Sequence, residues 1–177
     1  MRSNFTIWII LLFVANFNAR SQDNFQTFTP GGFKVKCNCK LKENTIFIDM
    51  AKKRGEKGII GAFVCAENED NPDIGVIVNI NVYDVSSNYE SIPVTDHRKF
   101  ETKYLSAYEQ NLSNSGTTYS YITYKGASAL EYSFDQMGLP TKAIMFLKNK
   151  KSYLLQVATR KELERKFIDL KNSFDIL

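Results

Sequence analysis

The chain has 177 residues, 44% hydrophobic and 13% aromatic, with 23 Lys and Arg against 19 Asp and Glu and a formal charge of +4. Apolar and aromatic content of this order builds a packed core and excludes a disordered chain. Without a Lys/Arg block there is no electrostatic footprint for nucleic acid; the clusters Lys52-Lys53-Arg54 and 148–151 read as solvated surface.

Met1-Arg2 gives a positive start, Phe5 to Val14 is a run of large apolar residues, and Ala19-Arg20-Ser21 offers small residues where a signal peptidase reads. The run is shorter than the roughly 20 residues of a membrane span. Residues 1–21 are therefore expected to be a secretory signal peptide, which predicts an exported protein, periplasmic or secreted, with no transmembrane segment after cleavage. Cleavage leaves about 155 residues, one domain's worth, and removes Arg2 and Arg20, so the remainder carries about +2.

Residues 22–32 are polar and end in Pro30-Gly31-Gly32, which reads as a flexible leader before a domain at 33–177. Phe33, Val35, Cys37, Cys39 and Leu41 alternate with polar residues, the period of a strand with one buried face. Lys42 to Asn44 turns the chain and Thr45 to Met50 is expected to return as a second strand. Ile59 to Ala66 is apolar in both phases, as in a central strand. Glu67 to Asp73 is an acidic loop containing Pro72. Ile74, Val76, Val78, Ile80 and Val82 then face opposite to Asn79 and Asn81.

Thr95 or Asp96 is positioned to cap a helix. Phe100, Tyr104, Tyr108 and Leu112 follow at helical spacing with Leu105 beside them, and Asn114 to Gly116 ends the stripe. Thr118 to Tyr124, Ser128 to Phe134, Lys142 to Lys148 and Ser152 to Ala158 read as strands, with reversals at Lys125-Gly126 and Asn149-Lys150 that predict an antiparallel meander. Thr159 and Glu162 form a capping-box pattern, and Leu163, Phe167, Leu170, Phe174 and Leu177 lie on one helical stripe. The expected fold class is α+β: an antiparallel sheet of about six strands covered by two helices.

This order of elements, with the segments Gly126 to Phe134 (GASALEYSF) and Lys142 to Leu177 (KAIMFLKNKKSYLLQVATRKELERKFIDLKNSFDIL), resembles the Mog1/PsbP-like fold and exported bacterial PsbP-like domains of unassigned role. The resemblance covers about residues 33–177 and rests on pattern. It implies an α/β/α sandwich and a role in binding or assisting other proteins, and it transfers no catalytic residue.

Cys37, Cys39 and Cys65 are the reactive groups that stand out. Export favours pairing, and three cysteines leave one over. On one strand face Cys37 and Cys39 would sit about 6.5–7 Å apart with parallel side chains, a poor geometry for bonding each other. Cys65 is therefore expected to bond one of them, and which one stays open. C-x-C thiolates would alternatively suit Cu(I) or Zn(II).

His97 is the single histidine, so no two-His metal set exists, and no G-x-S-x-G elbow accompanies it. The acidic residues Glu67, Glu69, Asp70 and Asp73 lack the spacing of a calcium loop. Tyr119 and Tyr121 share a strand face and are the candidates for an aromatic ligand surface. Asn111-Leu112-Ser113 matches a glycosylation sequon in a helical setting.

The expectation is an exported, non-enzymatic binding or accessory protein of the cell envelope. It would need no cofactor, metal or nucleic acid, and its protein or small-molecule partner stays unknown. The alternative is a cysteine-based redox or soft-metal-binding protein.

Overall fold

The computed structural model describes residues 25–68, 71, 73, 75–136 and 138–177. The expected signal peptide, Glu69, Asp70, Pro72 and Ile74 lie outside the described residues.

The chain is α+β. It runs β1 (Gln26–Phe28), β2 (Phe33–Val35), β3 (Lys42–Glu43), α1 (Thr45–Lys53), β4 (Ile59–Glu67), β5 (Val76–Asp84) and a short α2 (Ser86–Glu90). A 3₁₀ turn (Val94–Asp96) leads into α3 (His97–Asn114), followed by β6 (Tyr119–Tyr124), β7 (Ala127–Gln136), β8 (Leu139–Lys148), β9 (Lys151–Ala158), α4 (Leu163–Ser173) and β10 (Asp175–Ile176). The main sheet has seven strands in the order β3-β4-β5-β9-β8-β7-β6, one more than expected, and a small three-stranded sheet is ordered β1-β2-β10. Every strand pairing among the described residues is antiparallel. After β5 the chain crosses through α2 and α3 to the far edge, then folds back through the meander so that β9 lies against β5.

The two reversals read from sequence carry positive φ at both central residues, Lys125 and Gly126 in one hairpin, Asn149 and Lys150 in the other. That is the turn whose twist matches the flanking strands.

Strand phase sorts the side chains into two layers. Val76, Val78, Ile80 and Val82 of β5 and Tyr153, Leu155 and Val157 of β9 are buried beneath α4, where Phe167, Leu170 and Phe174 meet them. At the centre of that layer the Phe174 ring stacks on Phe33 at 5.1 Å and meets Tyr153 at 5.6 Å. The opposite layer is covered by α3, through Leu105 and Leu112, and by α1, through Ala51.

Several elements depart from the sequence reading, each for a local reason. Gln26–Phe28, assigned to the leader, pairs with Phe33–Val35, and the Phe28 ring packs on Phe33 and Phe63. The alternating run keeps its ladder only to Val35. Beyond it, the Gln26 side chain donates to Cys39 O and accepts from Leu41 N, and Ser173 Oγ donates to Lys36 O. These bonds take the place of a neighbouring strand.

Thr45 to Lys53 is a helix rather than a strand, because the Asn44 side chain accepts from Phe47 N at 3.0 Å and caps it. Thr159 does not cap α4: its N–H donates to Pro140 O and extends the β9 ladder, so Glu162 turns with φ 56° and the helix starts at Leu163. The helix ends at Ser173, which leaves Phe174 buried just beyond it and Leu177 56% exposed.

Candidate functional site

The cysteines separate into a pair and a single thiol. Cys39 and Cys65 lie at disulfide distance, Sγ–Sγ 2.06 Å with Cα atoms 5.8 Å apart, bringing the loop after β2 against β4. Cys37 is a free, half-buried thiol. Burial, reinforced by the Glu67 carboxylate, pushes its pKa from 9.0 up to about 12. At neutral pH it is a protonated thiol, a poor nucleophile and a poor soft-metal ligand. The C-x-C pair is not assembled as a pair of thiols, and among the described residues no group of His, Cys, Asp and Glu is placed to hold a metal. Cys37 and Cys39 instead line a cleft of about 320 Å³ between α4 and the ends of β5 and β9, with Val76, Val78, Val157 and Leu170 also in its lining.

Tyr119 and Tyr121 do lie on one face of β6, and both phenols are engaged internally. Tyr119 donates to Glu109 Oε1 and Tyr121 to Glu109 Oε2, each at 2.7 Å, clamping α3 onto the edge of the sheet. The two phenols, Tyr121 foremost, hold the Glu109 carboxyl below its ordinary pKa. Tyr124 takes the opposite face and donates to Lys171 O of α4. His97 meets the Tyr89 ring edge-on at 4.9 Å, a packing contact with no nucleophile in it.

A larger concavity lies on the side of the sheet covered by α1 and α3. Two hollows, of about 430 and 660 Å³, adjoin along α3 and share Tyr108 and Gln156. The first is floored by Asn81 and Tyr83 of β5 and by Ser152, Leu154 and Gln156 of β9, with Phe47 of α1 on one wall and Tyr104 and Tyr108 of α3 on the other. Strand register sets the floor: Asn79 lies opposite Gln156, Asn81 opposite Leu154, and Tyr83 opposite Ser152. The residues that turn Val78, Ile80 and Val82 toward α4 therefore turn amide, hydroxyl and phenol groups toward the groove.

Tyrosine hydroxyls pin its walls. Tyr108 and Tyr132 share a hydrogen bond of 2.7 Å, and Tyr83 donates to Glu56 Oε2. Burial, ahead of these contacts, lifts Tyr83 to about 12 and Tyr132 well above the ordinary phenol range. Both stay neutral donors at any physiological pH. Of the lining residues of the two hollows only Asp135 is charged.

The chemistry on offer is hydrogen bonding to neutral groups plus apolar contact with aromatic faces. Sequence reasoning placed Tyr104 and Tyr108 on a core stripe and saw Asn79 and Asn81 face away from the valines. The missed signal was the coincidence of the two, with Gln156 and Ser152 in the same phase of β9.

No protein-family model matches the sequence, and no curated protein matches it significantly. Among solved structures the chain is similar to the solution structure of cyanobacterial PsbP (CyanoP) from Synechocystis sp. PCC 6803. The two share 12% identity with a TM-score of 0.47, over 87% of this chain and 92% of that one. A likeness of that degree carries no functional inference to this chain.

No helix among the described residues is long and apolar enough to cross a membrane.

Proposed function

We infer that the protein is an exported, non-enzymatic binding protein of the cell envelope. In this reading it holds a neutral, polar ligand with a flat apolar side in the groove between α1, α3 and the sheet. The observation that carries the reading is the groove's lining: uncharged hydrogen-bonding groups (Asn81, Ser152, Gln156) set among aromatic rings (Phe47, Tyr83, Tyr104, Tyr108). Such a surface recognises hydroxyl and amide groups while stacking on an apolar face. Export is supported by the apolar, positively started leader and by the Cys39–Cys65 pair. The absence of catalysis is supported by the surroundings of the two ordinary nucleophile–base candidates. Cys37 is held protonated, and His97 packs on a tyrosine ring.

The test is a titration of the mature protein, followed by amide chemical shifts, with neutral oligosaccharides, N-acetylated sugars and uncharged peptides. Shifts should concentrate on β5, β9 and α3, and Gln156→Ala or Tyr104→Ala should weaken binding about tenfold each, the scale of one lost hydrogen bond or ring contact. Shifts confined to the Cys37 cleft, or selection of charged ligands only, would refute the groove reading.

A further inference from the structure

The two edges of the seven-stranded sheet are built differently. At one end β3 is two residues long, and Lys42 and Glu43 are both exposed charges. Short, charged edge strands deter further pairing. At the other end β6 is six residues long, Tyr-Ser-Tyr-Ile-Thr-Tyr, with no charge, proline or glycine. Its register shows which backbone groups are free. The two-residue turn at Lys125-Gly126 closes the Tyr124–Ala127 pair, and Ser133 N donates to Thr118 O, so Thr118, Ser120, Ile122 and Tyr124 bond inward to β7. The N–H and C=O of Tyr119, Tyr121 and Thr123 therefore point outward, and among the described residues no strand pairs with them.

We propose that this edge is a homodimer interface, in which β6 of one copy pairs antiparallel with β6 of a second across a twofold axis at Tyr121. A second copy fits that edge. With Tyr121 opposite the partner's Tyr121 and Tyr119 opposite the partner's Thr123, every outward N–H and C=O meets its complement, a self-complementary arrangement that a twofold requires. No charged side chain of β6 opposes a like charge in that register. The exposed Tyr121 ring, 50% accessible in the isolated chain, gains a cross-strand aromatic neighbour. Hydrogen bonds to Glu109 fix the Tyr119 and Tyr121 side chains against α3 beside that edge. The inference stands on the sheet edge and is independent of the groove's ligand.

The experiment is sedimentation velocity of the mature chain over a dilution series, paired with residue-resolved amide exchange. The expected result is a reversible monomer–dimer equilibrium. The amides of Tyr119, Tyr121 and Thr123 should be protected in the dimer and lose protection on dilution, while those of Ser120, Ile122 and Tyr124 stay protected throughout.

Thr123→Pro removes an outward donor that serves no bond among the described residues, and should weaken association about tenfold or more because the symmetry loses that bond twice. Tyr121→Lys puts Lys opposite Lys in that register and should weaken association as well. A monomer at every concentration with freely exchanging outward amides would overturn the proposal. So would outward amides that stay protected in a monomer, which would show the chain covering its own edge. A dimer indifferent to both substitutions would equally overturn it.

Discussion

Phe174 is fully buried one residue beyond the end of α4, and its truncation tests the account of the core most directly. Its ring stacks on Phe33 at 5.1 Å, meets Tyr153 at 5.6 Å and Phe146 at 6.1 Å, and so joins the small sheet, the main sheet and the last helix. Phe174→Ala removes that ring from a site whose neighbours belong to three elements and have little freedom to collapse inward. Large-to-small truncation of a buried Phe costs about 3–5 kcal/mol, against perhaps 5–15 kcal/mol for the whole fold. A domain of this size loses roughly 2–4 °C per kcal/mol, so the melting temperature should fall by about 6–20 °C. Thermal unfolding by circular dichroism reads this directly. Urea unfolding should show a lower midpoint at unchanged slope. Leu177→Ala, at a residue 56% exposed on the same sequence stripe, is the internal control and should change stability by less than about 0.5 kcal/mol. Equal effects of the two substitutions would refute the placement of the core, and a Phe174→Ala shift below about 3 °C would do so alone.

Cys39→Ser should cost about 2–4 kcal/mol in chemical denaturation, since the pair closes a loop of 26 residues in separation, whereas Cys37→Ser should change little. Alkylation of the oxidised protein should label one thiol, and only after unfolding; three labelled thiols without denaturant would remove the disulfide from the account. Raising the pH should destabilise the fold, because the groups buried in their protonated forms bind protons more tightly folded than unfolded. The Cys37 contribution is intact below 9.0 and lost as pH rises toward about 12, and those of Tyr83 and Tyr153 fade from 10.0 toward about 12. Thermal midpoints that are flat from pH 9 to 12 would contradict this. Deleting residues 160–177 removes α4, Phe174 and the β10 pairing with β2 and should abolish the cooperative thermal transition; its survival would make α4 a dispensable arm.

What was legible in the sequence follows from how local each signal is. The meander was readable because its alternation, its two Lys-Gly and Asn-Lys turns and its pairings lie within neighbouring residues. The α3 stripe was readable for the same reason. The errors arose where a single side chain outweighs periodicity. Asn44 caps α1, so Ile46 and Met50 are exposed on a helix where a returning strand was expected. Gln26 binds the backbone around Cys39 and Leu41, so a run with the phase of a strand is one only as far as Val35. Thr159 has both the residue type and the spacing of a cap, yet its amide is consumed by Pro140 O. The groove was unreadable because its lining comes from α1, β5, β8, β9 and α3, elements whose adjacency depends on the crossover from β5 to β6. Tyr119 and Tyr121 looked free in sequence because nothing nearby names Glu109, ten and twelve residues earlier, as their shared acceptor.

The two faces of the main sheet divide the work of the fold between them. Toward α4, β5 and β9 present Val, Ile, Leu and an aromatic cluster, and the layer is closed except for the cleft beside Cys37 and Cys39. Even its charged rim is internally matched, with Lys142 and Lys171 both on Glu131 and both lying over the Phe167 ring. Toward α1 and α3, the same strands present Asn81, Tyr83, Ser152 and Gln156, groups that give less burial energy than their apolar neighbours and need hydrogen-bond partners. No buried side-chain polar atom among the described residues lacks a partner, so this face is stable without being sealed. If stability alone shaped the sheet, valine in both phases of β5 and a helix laid flat across it would serve better. Two helices set apart over a polar strip form a surface whose hydrogen-bonding groups are carried on paired strands. That preorganisation is what a binding site requires. In the proposed function the face toward α4 supplies the rigidity, and the face toward α1 and α3 supplies the recognition.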